Sequence, residues 1–475
     1  MNAKISPCSR QPAPAAPVAG TRLMYESAVK LYPRQAKGRF ANLRLLAMLA
    51  LLGLYYLLPW LSWNGEPLVL FDLPHRRFHV FALTLVPQDL LLLALLLLLA
   101  ALTLFFITSL AGRLWCGYAC PQTVWTEAFL WLEQLCEGDR YARLRLDRSP
   151  WGTEKILRKT AKHLLWGSFA MFTGLSFVAY FVPARQLFPD ALNLQLGGWA
   201  TFWVLFYGFA TWGNAGFMRE QVCKYMCPYA RFQSAMFDRD TLIIGYDETR
   251  GEPRKTLAKK LDQPAGGCVD CSLCVQVCPV GIDIREGLQY ECIACAACID
   301  VCDSVMDALH TPRGLIRYTS ANHDAGGGFR LLRPRTIGYG LVWLIACTGF
   351  AVLVLSHAPM RFDVLRDRHT LYRELASGAI ENVYVLKVTN DDREARRYSV
   401  VARFEDGRPL TVEPAALTRD GQQTAATTVT LRTPPRNATG AGWTMVEPVI
   451  IEIRRDDDPS ISARRNARFL TGDQR

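Results

Sequence analysis

The sequence predicts an α-helical integral membrane protein of about five spans, with a cysteine-rich soluble domain inserted before the last span and a β-sandwich at the C-terminus. Three observations carry that reading. Long uncharged apolar runs recur along the 475 residues, half of which are apolar, so the average composition conceals membrane segments joined to soluble parts. Eight cysteines stand in two tight runs between Cys268 and Cys302. The tail beyond about Arg361 has no cysteine and alternates apolar with polar residues at period two.

Taken in order, residues Met1 to about Asn42 are polar and basic, with Pro and Ala gathered near Pro12 to Pro17. Such a stretch buries too little apolar surface to fold, and it reads as a mostly disordered arm (1–42) in which Cys8 is an incidental thiol. No short apolar segment followed by a small-residue cleavage site begins the chain, so no signal peptide is read. The spans are expected at about Leu43 to Leu61, Asp89 to Leu110, His163 to Val182, Trp199 to Phe217 and Ile337 to Ser356. Each is near the roughly 20 residues a bilayer crossing needs. Tyr55, Tyr56, Trp60 and Trp63 close the first in an interfacial belt, while Gly208, Gly213 and Asn214 interrupt the fourth. The four spans of residues 43–217 thus precede a soluble segment, 218–335, and a fifth span, 336–357.

Basic residues set the orientation. Lys30, Arg34, Lys37, Arg39 and Arg44 precede the first span, and Arg140 to Lys162 is rich in Arg and Lys. The loop after the third span holds only Arg185. The chain is therefore expected to start in the cytoplasm, and five spans then leave residues 358–475 on the far side of the membrane. The net charge of +11 is mostly this signal, with some attraction to anionic lipid; no basic patch accompanies a nucleic-acid motif, so nucleic acid is not expected as a partner.

The cysteine runs read Cys268-x2-Cys271-x2-Cys274-x3-Cys278-Pro279 and Cys292-x2-Cys295-x2-Cys298-x3-Cys302. This is the spacing of a bacterial ferredoxin with two [4Fe–4S] clusters, in which the fourth cysteine of each run crosses to the other cube. The expected ligand sets are Cys268, Cys271, Cys274 and Cys302, and Cys292, Cys295, Cys298 and Cys278. Zinc knuckles need only CxxC pairs, and the third and fourth cysteines have no role there. A disulfide framework belongs to small secreted domains, not to this reducing side.

Two further pairs, Cys116/Cys120 and Cys223/Cys227, each form CysxxxCysPro just past the cytoplasmic ends of spans two and four. A spacing of four puts both sulfurs on one helical face, with Pro121 and Pro228 ending or kinking the helix. Two such pairs converge into a four-thiolate set, and soft sulfur selects Cu(I) or an iron–sulfur cluster, with dithiol cycling as the other option. Met218 and Met226 are potential thioether ligands but read more simply as packing; Cys136 and Cys347 read as structural, and His163 and His357 as polar tips at the interface.

In the tail, Asn382 to Val388, Tyr398 to Phe404, Thr428 to Arg432 and Val449 to Ile453 read as strands, separated by turns at Asp406-Gly407 and Asp420-Gly421. Runs at this spacing predict a small antiparallel sandwich acting as a docking module. Asn437-Ala438-Thr439 matches a glycosylation acceptor but reads as a loop.

The stretches Cys278 to Arg285, Gly287 to Ile293, Cys298 to Asp303, Trp115 to Glu127 (WCGYACPQTVWTE) and Cys223 to Phe232 together resemble the FixG/RdxA/CcoG group of cytochrome c oxidase accessory proteins. Asp303, where ordinary ferredoxins carry a second proline, is a departure shared with that group. The resemblance covers nearly the whole chain except the N-terminal arm and Cys8. It implies an immunoglobulin-like C-terminal domain, two [4Fe–4S] clusters on the eight cysteines above, and reduction of Cu(II) to Cu(I) for copper-site assembly in a cbb-type oxidase. Copper is then substrate, and the expected partners are the membrane, oxidase assembly factors or a copper chaperone, and an electron donor that the sequence does not name. The thiols of Cys116, Cys120, Cys223 and Cys227 are the expected site of copper reduction. Two other classes remain open: a quinol-linked carrier serving a periplasmic redox protein, and a scaffold whose clusters are structural.

Overall fold

The computed structural model describes residues 30–435 and 445–471, apart from the short stretches 64–65, 75, 82, 86–88, 329, 331, 357–359, 368–370, 391, 393 and 422. Cys8, His357 and the Asn437-Ala438-Thr439 acceptor lie outside the described residues. The principal helices are α1 (Arg39–Leu57), α2 (Leu90–Ala111), α3 (Leu114–Tyr118), α4 (Pro121–Glu137), α5 (Arg140–Arg148) and α6 (Thr153–Val178). They continue with α7 (Ala184–Leu192), α8 (Gly198–Thr211), α9 (Pro228–Met236), α10 (Ala297–Ala308) and α11 (Pro334–Leu355).

Among the described residues, three helices are long and apolar enough to cross a membrane: Arg39–Trp60, Leu91–Ala111 and Pro334–Leu355. They coincide with the first, second and fifth expected spans. Many of their apolar side chains face outward; Leu91, Leu97 and Ile345 are each more than 60% exposed, as suits side chains with lipid for solvent. The segments expected as spans three and four fall short of that test. α6 begins ten residues before His163 and carries Glu154, Lys155, Arg158, Lys159 and Lys162 in its first half. α8 has 14 residues and then unwinds into a π-helical stretch, Trp212–Met218, where Gly213 and Asn214 stand. Gly208 has a packing role: a Cβ on Gly174 of α6 would meet the Gly208 backbone nitrogen at 2.8 Å and the Val204 carbonyl at 2.5 Å. Small residues let these two backbones touch.

The chain divides into two compact units. The first gathers residues up to Leu49, Ala111–Ser168 and Ala210–Phe329. Strands β1 (Ile243–Tyr246) and β2 (Ile316–Thr319) pair antiparallel across it, with Ile244, Tyr246, Leu315 and Ile316 buried against the cysteine loops. The arm expected to be disordered is ordered from Lys30 onward. Arg140 donates to the Tyr32 carbonyl (2.9 Å), Arg143 to that of Pro33 (2.7 Å), and the Arg34 amide to Gln276 (2.8 Å). The basic α5 face thus gives the arm's carbonyls partners that its own composition does not reveal.

The second unit holds Ala50–Leu110, Phe169–Phe209 and Arg330–Arg475. Its sandwich is built from β3 (Met360–Arg366), β4 (Ile380–Asn390), β5 (Arg396–Phe404), β6 (Pro409–Glu413), β7 (Ala416–Arg419), β8 (Thr424–Arg432), β9 (Val446–Arg455) and β10 (Ser462–Leu470). The strand order is β10-β9-β5-β6-β8-β4-β3, with β7 also on β5. Tyr384 faces Val429 across β4 and β8, and Val400 faces Ile453 across β5 and β9; all four are at most 3% exposed. Asp406-Gly407 and Asp420-Gly421 make the β5–β6 and β7–β8 turns as expected; Gly407 has φ +94°, a conformation glycine adopts without strain.

Candidate metal centre

Both cysteine runs use one backbone scheme. In the first, the residues flanking the middle cysteine, Asp270 and Ser272, have φ of +57° and +55°. In the second, Ala294 and Ala296 have φ of +53° and +60°. Left-handed residues alternating with ordinary ones curl a loop into the kind of concavity that binds anions and many iron–sulfur groups. Non-glycine residues in this region carry strain that the surrounding structure must offset. Ser272 leads into a helical turn, Leu273–Gln276, and Ala296 leads into α10.

The loops enclose two cavities. The first is lined by Cys268, Cys271, Cys274 and Cys302, with Tyr246, Arg285 and Met306. The second is lined by Cys278, Cys292, Cys295 and Cys298, with Ile244, Ile282 and Ile284, and Cys274 on the shared wall. The crossed arrangement expected from the spacing is therefore present in the cavity walls: Cys302 joins the first run and Cys278 the second. Among the described residues no group of His, Cys, Asp or Glu is gathered tightly around one ion position. Each cavity wall carries four of these thiols, with Cys274 also on the second wall, and four thiolates are the donor set of a [4Fe–4S] cube. Burial pushes the Cys278 and Cys302 thiols up to about 12 and those of Cys274 and Cys292 to about 11, and raises Cys298 well above its ordinary value. Such thiols lose their protons when a metal takes their place.

The membrane-edge pairs differ from expectation in one respect. Neither lies on one helical face. Cys116 sits within α3, whereas Cys120 is extended (φ −63°, ψ 129°) and caps α4, with Pro121 in the first helical position. Cys223 lies in a π-helical turn, Val222–Met226, and Cys227 (φ −80°, ψ 108°) caps α9 ahead of Pro228. Proline lacks the N–H that the first turn would leave unpaired, so each CysPro starts a new helix. Electrostatic influence reaches between the pairs, from Cys223 to Cys116, and within and across them from Cys120 to Cys116 and from Cys227 to Cys120, but among the described residues the four thiols are not gathered as a metal site. Burial raises Cys120, with the Gln122 and Thr123 amides at the α4 N-terminus pulling the other way. Burial pushes Cys116 up to about 12 and Cys223 to about 11.

Cys116 donates to Gln233 Oε1 (3.2 Å) and packs in one apolar cluster with Cys295, Val277, Ile293 and Ala297. The neighbouring Gly117 makes that approach possible. A Cβ there would stand 2.7 Å from the Ile293 carbonyl and 3.0 Å from the Cys295 Cα. Cys223 lines a pocket whose far wall is Pro279, Val280 and Ile293, next to the second cavity.

The remaining expected residues contribute less. Met218 and Met226 are 36% and 57% exposed. His163 lies among the rings of Trp166, Trp212 and Phe217 rather than standing as a polar tip. Cys136 lies on α4 and Cys347 on α11. Sequence reasoning missed Arg113, Gly117, Gln233 and Asp300. Gly117 and Asp300 lie inside motifs already singled out, but only their long-range contacts give them a role.

An apolar-helix protein with a double cysteine cavity, a second thiol set against it and a C-terminal sandwich belongs to the class of membrane-bound ferredoxin-type electron-transfer proteins. Family models agree in their parts: a 4Fe-4S dicluster domain matches residues 218–321, a 4Fe-4S binding domain residues 93–135, and the IG-like fold at the C-terminal of FixG residues 350–472. The chain is 39% identical to the nitrogen fixation protein FixG of Rhizobium meliloti, over 84% of each chain. It is 40% identical to RdxA and 39% to RdxB of Cereibacter sphaeroides, over 83% of this chain and 86% of each relative. The chain belongs to the FixG/RdxA family.

Proposed function

We propose that this protein is an inner-membrane electron relay that reduces Cu(II) to Cu(I) for copper-site assembly in a cbb-type cytochrome c oxidase. In this reading five spans cross the membrane, with the N-terminus and ferredoxin domain cytoplasmic and the sandwich periplasmic. The first cavity's Cys268, Cys271, Cys274 and Cys302, and the second's Cys278, Cys292, Cys295 and Cys298, each hold a [4Fe–4S] cluster. When bound, these groups supply one-electron transfer at low potential. Each copper consumes one electron, drawn from a cytoplasmic or quinol donor, and goes on to an assembly factor or copper chaperone.

The thiols of Cys116, Cys120, Cys223 and Cys227 receive the copper, releasing their protons as the metal binds. Sulfur ligands favour Cu(I), so binding at these thiols helps drive the reduction. The observation that carries the reading is the packing of Cys116 against the apolar cluster that holds Cys295, with Gly117 close to the Ile293–Cys295 backbone. A membrane-edge thiol beside residues that line the second cavity supports a short route from electron to copper.

The test is anaerobic. Visible absorption and EPR of the dithionite-reduced protein are recorded before and after Cu(II) is added. Reduced-cluster signals should vanish as Cu(I) forms, with iron content unchanged. The variant with all four membrane-edge cysteines replaced by Ser should keep its clusters and lose the copper response. If that variant reduces copper as the parent does, the thiols are not the copper site. If copper leaves the parent's signals untouched, the quinol-linked carrier becomes the better account.

A further inference from the structure

Arg113 lies between α2 and α3, three residues before Cys116, and is 5% exposed. Its guanidinium donates to two carbonyls from distant parts of the chain: that of Tyr290, two residues before Cys292, and that of Ala230 (2.5 Å), three residues after Cys227. Its Nε is buried without a hydrogen-bond partner. Among the described residues no carboxylate pairs with it. Its charge is felt at the sulfurs of Cys116, Cys223 and Cys292. A buried cation without a counter-ion is costly unless the groups it faces become negative.

We propose that Arg113 is a positioning residue that ties both membrane-edge thiol pairs to the Cys292 loop and supplies the positive charge that draws electrons to the second cavity. This rests on the two-cluster part of the reading above and not on copper. Among the described residues the first cavity has no equivalent. Its arginine, Arg285, is held between Asp283 and Asp270, both at 2.6 Å, so its charge is offset where it stands. An added electron is a negative charge, stabilised by an uncompensated cation and hardly at all by a neutralised one. The pair of sites is thereby biased so that an electron entering at the first cavity moves toward the side where Cys116 packs.

The test is a potentiometric titration of the full-length protein, followed by EPR, in the parent, Arg113→Gln and Arg113→Lys. Iron and sulfide content are measured alongside. In Arg113→Gln one of the two reduction waves should fall while the other holds, shifting the electron's partition between the sites on the order of tenfold. Arg113→Lys loses the two-armed fork but keeps the charge, and should hold both waves near the parent's. The proposal is overturned if the Gln variant keeps its iron and neither wave moves, if both waves fall together, or if Lys and Gln behave alike. Should the Gln variant fail to assemble, the Lys variant decides: waves separated as in the parent support the charge, and a lost separation rejects it. A parent protein without cluster iron would instead sink the two-cluster reading itself.

Discussion

The two cysteine cavities repeat the same pair of left-handed residues around a middle cysteine, but they meet very different surroundings. In the first, the middle cysteine, Cys271, is exposed, and the nearby arginine is neutralised by two aspartates. In the second, the middle cysteine, Cys295, is buried in the apolar cluster against which Cys116 packs, and the nearby arginine, Arg113, has only carbonyl partners among the described residues. One backbone device thus stands in two settings: a cavity whose middle cysteine is exposed, and a cavity whose middle cysteine is buried near the membrane-edge thiols. Repetition in sequence fixes what each loop can hold, and the neighbours fix what each loop can do.

The largest expected effect comes from treating the two middle cysteines alike. Cys295→Ser changes a thiol that is 7% exposed and belongs to the apolar cluster against which Cys116 packs. On the reading of one cube per cavity it should lose one cluster outright, leaving roughly half the iron and labile sulfide per chain. Cys271→Ser places a hydroxyl at an exposed corner, where solvent or the serine oxygen serves as a weak ligand. It should keep more than half the iron, with an altered EPR signal. Iron and sulfide analysis on anaerobically purified protein checks both. Equal losses in the two variants would erase the distinction between an open and a sealed cavity.

A smaller effect tests how the sealed cavity is closed. Gly117→Val forces side-chain atoms into the Ile293 carbonyl, which is backbone and cannot rotate away. Overpacking of this kind costs on the order of 1–3 kcal/mol. The cost should appear as a lower urea midpoint for loss of cluster absorbance. Gly213→Ala is the matched control, because a Cβ there meets nothing within 4 Å and its backbone needs no positive φ. It should stay within about 0.5 kcal/mol of the parent. If the two variants melt together, the close approach of α3 to the Cys295 loop contributes no stability.

How far the sequence carries one toward these sites depends on the range over which the information acts. The grouping of the eight cysteines around two cavities, with Cys302 beside the first run and Cys278 beside the second, was legible, because close spacing along one chain constrains which thiols can share a cavity. The sandwich strands were legible where apolar and polar residues alternate, as in Asn382 to Val388. β10 was not, since Ser462–Leu470 is mostly polar and arginine-rich and pairs through its backbone with β9. The CysxxxCysPro pairs were found, but their local geometry was misjudged: a proline that ends one helix and one that opens the next look the same in sequence. Arg113 was invisible for a different reason. Its partners, Ala230 and Tyr290, lie more than a hundred residues away, and nothing near position 113 announces them.

The smallest effect concerns a residue placed between the two cavities in sequence. Asp300 lies on α10 between Cys298, which lines the second cavity, and Cys302, which lines the first, and it is 7% exposed. Its carboxylate accepts the amides of Phe40 (3.2 Å) and Ala41 (2.7 Å), the first turn of α1. A carboxylate at a helix start satisfies amides that have no partner within the helix and complements the dipole there. Gly38 gives it room, since a Cβ at that position would stand 2.4 Å from the Asp300 side chain. Asp300→Ala should therefore cost about 1 kcal/mol at the start of α1, read as faster hydrogen exchange at Phe40 and Ala41. Asp300→Asn keeps an accepting oxygen and should recover most of that protection. Cluster content should not change in either variant, because the carboxylate faces the helix and not a cavity. Loss of iron from one cavity alone would instead make Asp300 part of the asymmetry between them, and α1 would have to be counted among the elements that distinguish the sealed site from the open one.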